Sequence, residues 1–163
     1  MKKFGAMLLL AAVTLAAPAY AAAQDDAEAG AVAAVQALFD AMAARDGDAI
    51  RGLLTDGATF VATAETPDGV QVRESTGTEF AASIGQPGPA LLERMWEPHV
   101  MIEGPIAVVW TPYDFHVDGE FSHCGIDAVS LVRTSDGWKI SSIAYTRETE
   151  NCEPSPLGPP PGD

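Results

Sequence analysis

Basic residues are scarce in this chain of 163 residues: nine Lys and Arg stand against 23 Asp and Glu, a formal net charge of −14. A surface of that sign repels phosphate backbones and anionic headgroups, which argues against nucleic acid or an acidic membrane surface as partner. Cysteine is nearly absent, with only Cys124 and Cys152. No Gly-rich phosphate loop and no nucleophile elbow occurs, and no cofactor motif is recognisable. Nor is any His, Cys or carboxylate spacing diagnostic of a metal; His116, His123 and Asp114 form at best a weak ligand set, and no metal is expected. There are no internal repeats, and the length suits one domain.

Long apolar runs are missing except at the N-terminus. Met1-Lys2-Lys3 is a short basic start, Phe4 to Ala17 is apolar but short for a membrane span, and Ala19-Tyr20-Ala21 and Ala21-Ala22-Ala23 are small-x-small cleavage sites. This pattern predicts a secretory signal peptide over residues 1–23, with a retained anchor helix as the alternative. No Cys follows the cleavage site to carry a lipid. Cleavage removes Lys2 and Lys3 and takes the charge from −14 to −16. The expected location is the periplasm or the extracellular space, with no membrane attachment after cleavage. In such an oxidising compartment Cys124 and Cys152 are expected to form a disulfide closing about 28 residues, worth about 3 kcal/mol. A catalytic Cys124 thiol beside His123 is the rival, but sequence neighbours on a strand point to opposite faces.

From Glu28, apolar Val32, Val35, Leu38, Phe39 and Met42 recur at helical spacing. Asp46-Gly47 ends that helix, and Asp48 is a candidate cap for a short second one. Thr59–Thr63 and Val70–Arg73 read as strands around Pro67-Asp68-Gly69. Thr76 and Glu79 resemble a capping box. Gly85–Pro89 is a loop, and Leu91–Ile102 alternates as one long strand interrupted at Pro98. Residues 24–150 form the domain; the Pro-rich tail, 151–163, is expected to be disordered or extended.

The densest signal is Trp110–Arg147, three strand-like runs joined by two Asp-Gly turns. Asp118-Gly119 suits a two-residue type I′ hairpin pairing Val117 with Glu120. An uninterrupted register then sets Asp114 opposite His123 and Trp110 opposite Asp127, with Trp110, Asp114, His116, His123 and Asp127 on one face. A three-residue loop at Ser135–Gly137 brings Tyr145 opposite Asp127 with Arg147 nearby; a two-residue loop brings Ala144 and Thr146 instead. The sequence leaves open which face is concave.

The run from Asp118 to Asp127 (DGEFSHCGID), then Leu-Val-Arg-Thr and Asp-Gly-Trp-Lys-Ile, resembles the C-terminal half of nuclear transport factor 2-like proteins, in particular their small bacterial SnoaL-like branch. The resemblance extends over roughly Glu28 to Arg147. It implies an α+β cone, with N-terminal helices packed on a strongly curved, mostly antiparallel six-stranded sheet around a ligand cavity. It covers isomerases, cyclases, hydrolases and non-catalytic binders alike. The candidate acid–base residues are Asp114, His123 and Asp127, with Asp raised by an apolar setting and His titrating near neutrality. Trp110, Tyr145, Arg147, Phe39, Met42 and Phe60 are candidate pocket residues, and Tyr145 a donor to an oxyanion. Two readings follow: a small-molecule pocket protein with isomerase, dehydratase or cyclase-like chemistry on a largely apolar ligand, or a non-catalytic binding or homodimer-forming accessory module.

Overall fold

The computed structural model describes residues 17–160. The expected signal segment lies outside the described residues over 1–16, and its last residues belong to the first helix, α1 (Ala17–Ala43). The stripe read from the sequence is the buried one: Val35, Leu38, Phe39 and Met42 are all at most 6% exposed, whereas Gln36 and Asp40 face solvent. Each such side chain contributes about 1.5–3 kcal/mol of burial. The short α2 (Gly47–Leu53) is capped by Asp46 rather than Asp48; Asp46 Oδ1 accepts from the amides of Asp48 and Ala49 at 3.1 and 2.9 Å.

Seven strands follow: β1 (Leu54–Thr66), β2 (Gly69–Thr76), β3 (Leu91–Met95), β4 (His99–Glu103), β5 (Ile106–Val117), β6 (Glu120–Thr134) and β7 (Gly137–Thr146). Helix α3 (Gly77–Ile84) intervenes after β2, opened by the expected Thr76–Glu79 capping box. The sheet order is β2-β1-β7-β6-β5-β3, with β4 also on β5; only β1–β7 is parallel. The sheet has seven strands and not six because Leu91–Ile102 is two strands. Glu97 takes a positive φ of 47° ahead of Pro98, which has no amide for a ladder. Opposite that break, β5 carries Pro112, and the Thr111 hydroxyl donates to the Trp96 and Pro112 carbonyls. The edge therefore turns where its partner is irregular, and the sheet wraps around α1 and α3.

The first hairpin turn is as expected: Asp118 and Gly119 have φ of 53° and 84°, and Val117 pairs with Glu120. The register beyond it is not. A bulge at Ser122 separates His116↔Phe121 from Phe115↔His123, so Asp114 stands opposite Cys124 and Trp110 opposite Ala128. One inserted residue reverses the pairing parity. The helix-facing side of the meander thus carries Tyr113, Phe115, His123 and Asp127, and the outer side carries Trp110, Asp114 and His116. At the second turn the loop has two residues, with Thr134 paired to Gly137, and a bulge at Ser141 restores the lost step. Asp127 still pairs with Tyr145, by a route different from the three-residue loop expected.

The tail is not a free extension. Cys152 is bridged to Cys124 with Cα atoms 5.9 Å apart, and Arg94 Nη1 donates to the Gly158 carbonyl at 3.0 Å. The Gly85–Pro89 loop is likewise fastened: Arg45 donates to the carbonyls of Ile84, Gln86 and Pro89.

Candidate functional site

The wrapped sheet and helices enclose a cavity of about 350 Å³, within the range that holds small organic ligands. Its walls are apolar. Leu38, Phe39 and Met42 enter from α1, Phe60 from β1 and Phe80 from α3, with the Phe60 and Phe80 rings stacked at 4.1 Å. Its polar groups come from the sheet: Glu93, Tyr113, His123, Asp127, Tyr145 and Arg147, with Arg73 and Glu74 contributed by β2. Of the residues anticipated from sequence, His123, Asp127, Tyr145, Arg147, Phe39, Met42 and Phe60 meet here. Asp114 and Trp110 do not, because the Ser122 bulge turns them outward; Trp110 is 49% exposed.

The cavity contains a carboxyl pair that the sequence reading did not assemble. Asp127 is 3% exposed, and its Oδ2 finds no conventional donor. The group within hydrogen-bonding reach is the Glu93 carboxyl from β3. A hydrogen bond between two carboxyls needs a proton on one of them. Burial raises both groups: Glu93 is pushed well above the usual carboxylate range by burial and then by the Asp127 charge, and burial raises Asp127 as well. The pair therefore retains a proton at neutral pH and titrates as a unit. Glu93 was detectable in principle, since it shares a strand face with Leu91 and Met95 and so puts a carboxyl on an apolar stripe.

His123 differs from expectation. Burial, reinforced by the Arg147 charge, lowers its pKa to about 4, so the ring is neutral at pH 7 and is not poised to titrate there. Nδ1 lies 3.4 Å from Arg147 Nη2 and 3.0 Å from Ser122 Oγ. Guanidinium only donates, so Nδ1 is assigned as the acceptor and Nε2 carries the hydrogen. Tyr113 is committed elsewhere, its hydroxyl donating to the Thr146 carbonyl at 2.8 Å; burial raises both Tyr113 and Tyr145, keeping them protonated. Close packing here depends on Gly125: a Cβ at that position would lie 2.0 Å from the Thr146 carbonyl oxygen.

On the outer face Arg94 grips Asp114 with two hydrogen bonds, Nε to Oδ1 at 2.9 Å and Nη2 to Oδ2 at 2.5 Å, and His116 Nε2 lies 3.4 Å from Oδ1. Burial alone would raise the Asp114 carboxyl, but the Arg94 bonds and charge outweigh it and hold it below its ordinary value. Asp114 is thus a buried ion-pair partner under the tail. His116 and Asp114 face away from His123, so those three residues do not converge on a metal.

The comparisons with known proteins agree with this architecture. A sequence profile of the SnoaL-like domain matches residues 31–145. No curated protein matches significantly. Among solved structures, a nuclear transport factor 2-like protein with a cystatin-like fold from Novosphingobium aromaticivorans superposes with a TM-score of 0.67 at 13% identity, over 87% of this chain and 95% of that one. The Kfla4162 protein of Kribbella flavida gives 0.61 at 18% identity, over 78% and 95%. A candidate dehydratase of the same superfamily from Streptomyces avermitilis gives 0.58 at 18% identity, over 77% and 99%. At these identities the likeness is one of fold. With the profile spanning most of the chain, the protein belongs to the SnoaL-like family, and its cone has the fold of nuclear transport factor 2-like proteins.

Proposed function

We propose that the cavity binds a small, largely apolar molecule and carries out proton-transfer chemistry on it, of the isomerase or dehydratase kind. The observation that carries this reading is the Glu93–Asp127 pair, one acid and one base facing an apolar cavity. As carboxylate, one member takes a proton from carbon beside a carbonyl. As acid, the other returns a proton to a second carbon, giving an isomer, or to a departing β-hydroxyl, giving an alkene and water. Either sequence starts and ends with one proton on the pair, so no external acid or base is consumed. The neutral His123 Nε2–H is suited to hydrogen-bond the enolate oxygen without giving up its proton. Asp114, expected to share this work, takes no part, being engaged by Arg94.

Deuterium exchange tests the reading without knowledge of the natural substrate. In D2O, bound 2-tetralone should exchange its α-hydrogens faster than in buffer, and Asp127→Asn should abolish the acceleration while leaving binding in place. Binding without accelerated exchange would favour the alternative, a non-catalytic binding module.

The expected export signal and the Cys124–Cys152 bridge support a periplasmic or extracellular location. N-terminal sequencing of the protein recovered from a periplasmic fraction checks it: an intact Met1 would refute cleavage. A homodimer-forming role is favoured by one feature, the apolar outer face where Trp110, Met101 and Ile106 are 49%, 66% and 56% exposed. Light scattering showing a monomer at all workable concentrations would end that idea.

A further inference from the structure

Seven basic residues lie in the described part of the chain, and five have structural employment. Arg45 ties down the loop after α3, Arg51 pairs with Asp48, Arg94 with Asp114, Arg133 lies over the Trp138 ring, and Lys139 donates to the Gly52 carbonyl. The other two, Arg73 and Arg147, have no carboxylate partner among the described residues, and both line the cavity. They flank one strand: Arg73 pairs with Ala62 of β1, and the Arg147 amide donates to Thr63 of the same strand at 2.7 Å. Both side chains are exposed, which sets them at the cavity's open side. Among the described residues the Arg147 guanidinium has one hydrogen-bonding partner, neutral His123 at 3.4 Å. Of the lining carboxylates, Glu74, Glu93 and Asp127, none forms an ion pair with either arginine among the described residues.

In a chain with 23 acidic residues, two unneutralised guanidiniums at one cavity mouth are a local reversal of sign. We infer that the ligand is an amphipathic carboxylate, its apolar body between α1 and Phe60–Phe80 and its charged end held by Arg73 and Arg147. Guanidinium matches carboxylate with paired N–H donors. This inference rests on the proposed binding cavity and names the class of molecule it takes.

The test uses 1-naphthaleneacetate and its neutral analogue 1-naphthaleneacetamide as probes, titrated calorimetrically into the full protein at low salt. The carboxylate should bind about tenfold tighter or more, as expected for hydrogen bonds to a charged group. In R73Q/R147Q the preference should vanish as the carboxylate loses affinity, and R133Q, exposed and outside the cavity lining, should behave as wild type. Raising the salt should shrink the preference. Equal affinity for the two probes, or a preference that survives R73Q/R147Q, would overturn the anionic class and leave the cavity reading standing. Binding of neither probe would overturn both.

Discussion

The carboxyls of Glu93 and Asp127 meet inside one apolar cavity, where burial raises both, although β5 separates the strands that bear them. Only the curl of the sheet lets them meet. The consequence is a pH-dependent stability with a defined sign. A folded-state pKa above the unfolded value means the folded protein holds more protons, so the pair's contribution is complete below about pH 4 and is lost as pH rises through the folded range, which for Asp127 lies near 7. The wild type should therefore lose several degrees of Tm relative to Asp127→Asn between pH 4 and pH 8. Parallel Tm–pH profiles for the two proteins would contradict the shared proton.

His123 acts in the opposite direction. Its folded pKa, about 4, lies below the ordinary 6.5, so its contribution is present above 6.5 and is lost as pH falls toward 4. NMR titration of the ring should show no imidazolium until near pH 4. Arg147→Gln should move that midpoint upward, though not to the ordinary value, because burial is the larger cause. An unaltered wild-type midpoint near 6.5 would refute the neutral donor.

Gly125 leaves the least room for a side chain of the glycines among the described residues. Gly125→Ala drives a methyl group into the Thr146 carbonyl, which also accepts the Tyr113 hydroxyl. The variant should be destabilised by about 2 kcal/mol or more in urea unfolding, as expected for an overpacked interior. A loss below about 0.5 kcal/mol would mean that the end of β7 moves freely there.

Cys152→Ser opens the loop to Cys124 and should cost about 3 kcal/mol. It also releases the segment that brings the Gly158 carbonyl to Arg94. Hydrogen exchange should rise over the tail and leave the cavity strands unaffected. Retained protection in the tail would show that Arg94 and packing hold it without the bridge.

Much of the cone was legible in the residues because its signals are local. The α1 stripe, the Thr76–Glu79 box, the Asp118-Gly119 turn and the alternation along β5 and β6 each follow from neighbouring side chains and backbone preferences. Asp127, His123, Tyr145, Arg147, Phe39, Met42 and Phe60 were therefore identifiable as cavity residues. What the sequence did not determine was register beyond the turns. Ser122 and Ser141 carry no mark of a bulge, and a bulge forms where curvature and packing over the helices favour it. The first sent Asp114 and Trp110 outward; the second returned Tyr145 to Asp127. Groupings made across strands, Glu93 with Asp127 and the placing of Arg73 and Arg147 in one cavity lining, were beyond sequence for the same reason. They depend on how far the sheet curls, and only the packed tertiary structure decides that.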